Sequence, residues 1–235
     1  MSLPYFLSDD PTSGIIEGPE AKHAHVKRIQ PGERIMLFDG AGNRAEITVT
    51  RVDASRVEGV VDKHEFVERP TPRVTVVQAI PKSERAELAV DLAVQGGADR
   101  IVPWISHRTI ARWPANKQAK QVEKWRSQAL ASAKQARRAW VPQIHEPVTT
   151  NQLSALVGAL PSGSALVLHE DATVPLRDAD FGEDIWLIVG PEGGIGQDEL
   201  ELLGADAVKL GPEVLRTATA AFAALSAIGA LTNRW

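Results

Sequence analysis

The chain has 235 residues, a 43% apolar fraction, no cysteine and a formal net charge of -4. It is long enough for one large domain or two modest ones, and its composition excludes wholesale disorder. Without cysteine there is no disulfide, thiolate metal site or thiol nucleophile, so a reducing cytoplasm is the simplest home.

The opening MSLPYFLSDDP has neither a basic region nor a long apolar stretch and does not read as a signal peptide. No run of about 18 uncharged apolar residues follows, so no membrane span is expected. Up to about residue 70 the chain reads as short strands and turns, fitting a small β-barrel or sandwich. Glu33–Phe38 and Arg44–Val49 flank the turn-rich Asp39-Gly40-Ala41-Gly42-Asn43, a hairpin pattern, and Ser55–Val61 alternates again. Glu68-Arg69-Pro70-Thr71-Pro72-Arg73 is the linker, because its prolines disfavour a continuing helix. The expected domains are 1–70 and 73–235.

Beyond the linker, Val74–Ile80 reads as a buried strand and Ser83–Gln95 as a helix, with Ser83 as its N-cap and Gly96-Gly97 as its stop. Ile101–Ile105 is another strand, and a long basic helix covers about 116–139. Ser164–Leu168 and Ile185–Val189 are apolar strands and Ala207–Leu210 is a weaker one. Val214–Leu231 is an alanine-rich helix, apolar nearly all round, hence buried or at a subunit contact. Strands alternating with helices predict a parallel sheet covered on both faces.

Charge is unevenly placed. Lys117, Lys120, Lys124, Arg126, Lys134, Arg137 and Arg138 face Glu123 alone, and Lys22, His23, His25, Lys27, Arg28 and Arg34 form a second basic cluster. Both segments fit either solvated helix faces or a local RNA footprint. All six tryptophans lie beyond the linker; Trp125 and Trp140 could stack on bases, though packing in a core or interface is the commoner use. His64, His107 and His145 stand alone without metal-ligand spacing, and no metal site is expected.

The strongest signal is Ile188-Val189-Gly190-Pro191-Glu192-Gly193-Gly194-Ile195-Gly196, which leaves an apolar strand and enters a helix at Gln197-Asp198-Glu199-Leu200. Glycines at the carboxyl end of such a strand let the backbone approach a ligand. The spacing is neither a dinucleotide fingerprint nor a P-loop. Glu192 either caps the following helix or serves the ligand. A second strand-to-helix turn follows at Leu210-Gly211-Pro212-Glu213-Val214-Leu215-Arg216-Thr217-Ala218-Thr219-Ala220, and a third strand ends at Leu168-His169-Glu170. Three such ends in one sheet could line a common pocket.

The pairing of GPEGGIG with LGPEVLRTATAA resembles the SPOUT class of knotted methyltransferases, and within it the RsmE family, which methylates N3 of a uridine (U1498) in 16S ribosomal RNA. The resemblance covers almost the whole chain. His23 to Arg28 match the family's N-terminal His-x-x-x-x-Arg region, Lys82 and Arg85 its Lys-x-x-Arg helix start, and Arg108 its post-strand arginine. Trp125, Gln135 and Arg138 match its long helix. Lys134, Ala218 and Gln95 depart from it, each standing where the family commonly has Glu.

The resemblance implies an α/β fold: a small PUA-like β-barrel that binds RNA, then a SPOUT domain whose parallel sheet ends in a deep trefoil knot. It implies S-adenosylmethionine as methyl donor, without a metal, held by Leu168, His169, Val189, Gly190, Glu192, Gly194, Leu210, Gly211, Leu215 and Arg216. Arg216 and, more weakly, Glu192 are the catalytic candidates; His25, Arg28, Lys82, Arg85, Arg108, Gln135 and Arg138 are the RNA candidates. A cytoplasmic homodimer acting on 16S ribosomal RNA or the small ribosomal subunit, with no membrane partner, is the expected assembly. The alternatives are a SPOUT enzyme for another RNA position and an inactive RNA-binding module, the second favoured by Ala218 and opposed by the two glycine loops.

Overall fold

The computed structural model describes residues 3–111, 113–161 and 164–235, without the side chains of Ser83 and Glu84. Two compact units emerge. One holds the residues up to Arg69 together with Ala133–Val141; the other holds Pro70–Ser132 and Pro142–Trp235.

The first unit contains β1 (Tyr5–Leu7), β2 (Ile15–Glu17), α1 (Gly18–Val26), β3 (Arg34–Phe38), β4 (Asn43–Val52) and β5 (Arg56–Phe66). The PUA-like barrel is a mixed five-stranded sheet in the order β1-β3-β4-β5-β2, with β1 parallel to β3 and the other pairs antiparallel. The β3–β4 hairpin forms where alternation places it. Its turn is held by the Asp39 carboxylate, which accepts from Ala41 N (2.7 Å), Asn43 N (3.1 Å) and Asn43 Nδ2 (2.6 Å). Register shifts between Glu46 and Ile47 and between Val49 and Arg51 bend the long β4–β5 pair. Ile35, Leu37, Ala45, Ile47, Val49 and Val57 point inward and meet Ala21 and Ala24 of α1 in one core. That helix hides in the sequence because two alanines are its whole buried face.

Ala133–Val141 joins this unit through two backbone bonds and one indole bond. Gly42 N donates to Ala139 O (3.1 Å), Val141 N to Gly40 O (3.0 Å), and Trp140 Nε1 to Val67 O (2.8 Å). A fold element thus arrives from far along the chain, which no local pattern announces.

The second unit contains β6 (Arg73–Ala79), α2 (Ser83–Gln95), β7 (Arg100–Ile105), α3 (Ala115–Gln135, whose last turn belongs to the first unit), β8 (Gln143–Ile144), β9 (Val148–Thr149), α4 (Thr150–Gly158), β10 (Ala165–Leu168), β11 (Val174–Pro175), β12 (Asp184–Val189), α5 (Gln197–Leu203), β13 (Asp206–Lys209) and α6 (Thr217–Leu231). The sheet is parallel, in the order β11-β13-β10-β12-β6-β7-β8, with β9 also paired to β7. Val77, Ala79, Val102, Val167 and Ile188 pack with Leu153 and Val157 of α4 and Leu203 of α5. The alternate residues of β6 and β12 turn to the opposite face, where α6 packs on both strands and on α2. Each such fully buried Val or Ile contributes about 1.5–3 kcal/mol, so the two-sided cover is what holds the sheet.

Three boundaries differ from the sequence reading. α2 is capped at Lys82 rather than at Ser83, whose side chain lies outside the described residues. α3 stops at Gln135, four residues short of Ala139, where Arg137 takes a left-handed φ of 56°. α6 begins at Thr217 rather than Val214, because Arg216 is extended and serves as the cap. α4 is a further helix, and Thr149-Thr150-Asn151-Gln152 is its capping box: the Thr149 hydroxyl accepts from Gln152 N (3.4 Å) and Thr149 N donates to Gln152 Oε1 (2.9 Å). Among the described residues no helix is long and apolar enough to cross a membrane.

Candidate active site

β10 lies between β12 and β13, with Leu168 level with both Val189 and Val208. The carboxyl ends of these strands therefore stand side by side, where open α/β sheets bind ligands. The segments that leave them, with Arg85 and Arg108, enclose a cavity of about 780 Å³, a size suited to a small organic ligand. Leu168, Val189, Ile195, Val208, Leu210 and Leu215 supply its apolar wall; Glu192, Glu213, Arg85, Arg108 and Arg216 bring charge to it. Such a lining suits a ligand that is part apolar ring and part charged chain. All ten residues expected around a donor line this one cavity.

Gly194 closes the turn of the first glycine loop, its N–H donating to Pro191 O at 3.0 Å. Its φ is 70°, a left-handed value that L side chains rarely adopt, and a Cβ built there meets nothing within 4 Å. A side chain at this position would thus be strained and would stand in open space beside the cavity.

Glu192 does not cap α5. The cap position is Gly196, with no side-chain bond, and Glu192 Oε1 instead accepts from Lys82 N at 3.2 Å, at the start of α2. An anion is favoured at a helix N-terminus. Arg216 is anchored through its own backbone: its carbonyl accepts from Thr219 N (2.8 Å), Ala220 N (2.9 Å) and Thr219 Oγ1 (3.0 Å). Its exposed side chain is thereby presented to the cavity from a fixed cap. Arg108 lies along the glycine loop and donates to Gly193 O at 3.4 Å.

Of the residues expected to touch RNA, Arg85 and Arg108 line this cavity, and Lys82 lines a second one of about 530 Å³ beside Trp113 and Lys124. His25, Arg28, Gln135 and Arg138 belong to the first unit. There Lys134 of one basic segment meets α1, which carries Lys22, His23 and His25 of the other, since Lys134 Nζ donates to Glu20 Oε1 and Oε2 at 2.7 and 2.8 Å. That ion pair accounts for Lys134 locally. Ala218 is buried, so it places no polar group in the site. Gln95 donates to Asp91 Oδ2 at 2.9 Å.

Trp125 and Trp140 both settle on packing. Trp125 is buried, and the Trp140 ring is covered by the Arg69 guanidinium at 4.0 Å and met edge-on by Phe66. Sequence reasoning missed Glu199 and the His107–Asp198 pair. His107 Nδ1 lies 3.3 Å from Asp198 Oδ2, and this bond holds the Asp198 carboxyl below its ordinary value. Glu199 is buried at zero exposure beside them. The one signal for it is a carboxylate three residues past the glycine loop, and that spacing also fits a solvated first turn. Among the described residues, no cluster of three or more His, Asp or Glu side chains could hold a metal ion.

Comparison with known proteins bears on this site directly. Residues 67–229 match the family model of an RNA methyltransferase domain, and residues 16–62 that of an RNA methyltransferase PUA domain. The chain is 42% identical over 237 residues to ribosomal RNA small subunit methyltransferase E of Mycobacterium bovis, covering 97% of this chain and 90% of that protein. It is 28% identical over 241 residues to the Bacillus subtilis protein of the same name, covering 97% and 93%. Among solved structures it is similar to a ribosomal RNA small subunit methyltransferase E from Neisseria gonorrhoeae bound to S-adenosyl methionine, with TM-score 0.86, 28% identity and 98% of both chains covered. It is also similar to a Legionella pneumophila methyltransferase in complex with the same cofactor, with TM-score 0.85, 29% identity and 98% of both chains covered.

Proposed function

Because this chain belongs to the RNA methyltransferase family whose members include ribosomal RNA small subunit methyltransferase E, we propose that it methylates N3 of a single uridine, U1498, of 16S ribosomal RNA, using S-adenosylmethionine. The observation that carries this reading is the cavity at the ends of β10, β12 and β13, bounded by both glycine loops.

The lining fits the donor. Leu168, Val189, Leu210 and Leu215 offer an apolar slot, backbone groups at Gly190, Gly194 and Gly211 offer polar partners, and His169 and Glu192 stand beside them. When bound, S-adenosylmethionine supplies an electrophilic methyl group on a sulfonium. The protein's task is then chiefly to hold the acceptor nitrogen in line and close, which removes much of the entropic barrier. Uracil N3 carries a proton and is a poor nucleophile until that proton leaves. Arg216 holds the negative charge that develops on the uracil oxygens, and Glu192 or water takes the proton.

RNA is gripped by His25, Arg28, Gln135 and Arg138 in the first unit and by Lys82, Arg85 and Arg108 in the second. The working form is a homodimer, supported by the exposed apolar side chains of Phe222 and Leu231 on α6 and of Trp235 beyond it. Absence of cysteine and a ribosomal substrate support a cytoplasmic site of action.

Calorimetric titration with S-adenosylmethionine, without added metal, tests the donor. Incubating the protein with small subunits and with free 16S RNA from a strain lacking the enzyme, then mapping methylated bases, tests the acceptor. The reading expects micromolar donor binding and one new N3-methyluridine. No donor binding, or methylation at another atom, overturns it.

A further inference from the structure

Glu199 is a carboxylate that this chemistry does not use. It lies on α5, and it is fully buried. Its Oε1 accepts from His107 N at 2.8 Å and from Thr150 Oγ1 at 2.7 Å, and Thr150 Oγ1 in turn accepts from Trp104 Nε1 at 3.2 Å. Its Oε2 has no hydrogen-bond partner among the described residues. An apolar side chain of similar size would fill this space without the cost of burying a carboxylate. The bonds that offset that cost join α5 to the start of α4 and to the segment that follows β7.

That segment is a local turn. Thr109 Oγ1 accepts from Ser106 N at 3.2 Å, and Thr109 N donates to Ser106 O at 3.2 Å. Arg108 sits inside it, next to the His107 N–H that Glu199 holds. The Arg108 side chain runs against the glycine loop, so that a Cβ on Gly193 would lie 3.3 Å from the Arg108 Cβ, and a Cβ on Gly196 3.2 Å from its Nη2. The exposed His107–Asp198 pair ties the same turn to α5 a second time.

We infer that Glu199 is a positioning residue for methyl transfer: it clamps the Ser106–Thr109 turn to α5 and thereby plants Arg108 across the glycine loop, at the mouth of the cavity, where it holds the incoming RNA. The inference rests on reading the cavity as the donor site and Arg108 as an RNA contact.

A double-mutant cycle tests it, with Glu199→Ala, Arg108→Ala and the pair, read as single-turnover rate, RNA affinity and the salt dependence of that affinity. Glu199→Ala is expected to lower RNA affinity about tenfold, to reduce the salt slope by the roughly 0.7–0.9 that one lost phosphate contact carries, and to leave donor affinity within about threefold. In the Arg108→Ala background it should add almost nothing, because both changes remove one interaction. Glu199→Gln keeps the Oε1 acceptor and should restore most of the loss. Multiplicative losses in the double variant, or a Gln variant as impaired as the Ala variant, overturn the clamp. Should Glu199→Ala fail to fold, Thr150→Val, which removes one donor to the same oxygen, replaces it in the cycle. If the wild type binds RNA but no donor, the donor reading fails alone, since RNA affinity and salt slope still report on Arg108.

Discussion

Arg216 presents its guanidinium from a backbone already pinned as the cap of α6, so a change of side chain there alters chemistry more than structure. We expect Arg216→Lys to keep donor affinity within about threefold and to lose about ten- to a hundredfold in turnover, because a point charge does not reproduce the planar fork. Single-turnover rates across a pH series check this. The rate should rise with pH in both proteins as N3 deprotonation becomes easier, and a variant as fast as the wild type removes Arg216 from the mechanism. At Gly194 the constraint is the left-handed φ and the cavity beside it. Gly194→Val should therefore weaken donor binding at least about a hundredfold while the fold persists, as β-branching adds to the strain; unchanged affinity by calorimetry would detach this loop from the donor. His23 shows how the basic clusters act on one another. Its imidazole is held below the ordinary 6.5 chiefly by desolvation, then by the Lys134 and Lys27 ammoniums, with Glu20 opposing. The folded state then binds the proton less readily than the unfolded chain. Stability should be unaffected where both are neutral and should fall as pH drops through about 6.5 toward the lower folded value. Thermal melts from pH 8 to 5 on wild type and His23→Gln should show the smaller decline in the variant, which leaves His145, also depressed, as the common background.

α6 illustrates an element whose place is decided at its far end. Ala221, Ala224, Leu225 and Ile228 bury one side of it, and the chain then runs on to Arg234, whose side chain is 3% exposed. The Arg234 guanidinium pairs with Asp99 at 2.9 Å, where Asp99 is 1% exposed, and also donates to Gly97 O at 2.5 Å and to Pro72 O. Asp99 Oδ2 accepts from Val74 N at 2.8 Å, so the C-terminal residues are tied to the start of β6. Removing one partner of a buried pair leaves the other charge uncompensated, and Arg234→Ala should cost about 3–5 kcal/mol in urea unfolding. A loss below about 1 kcal/mol would mean that water replaces the guanidinium there. Elements with wide apolar faces or alternation, such as β4, β6 and β12, were legible from the sequence. α1 and α4 were not: α1 buries only alanines, and α4 is a short helix whose buried side is only Thr150, Leu153 and Val157.

For the whole molecule, net charge says little and its distribution says more. The -4 total coexists with basic segments at residues 22–28 and 117–138, and local patches rather than totals govern RNA binding. Assembly is the other property of this scale. Phe222, Leu231 and Trp235 are 37%, 51% and 68% exposed, an apolar surface that water disfavours. Sedimentation at micromolar concentration should find a dimer, and Phe222→Glu with Leu231→Glu should shift it to monomer. An active wild-type monomer would remove the dimer from the proposal.

By itself the sequence determined the alternation of strands and helices and both glycine turns, because hydrophobic periodicity and glycine placement are local properties of a chain. The glycine loops also carried the family resemblance. Tertiary structure alone decided that Leu168, Val189 and Val208 stand level, since strand order in a parallel sheet is set by crossovers and not by neighbouring residues. It alone brought Ala133–Val141 into the first unit and Glu199 to the His107 N–H, because hydrogen bonds between residues about ninety positions apart leave no periodic trace.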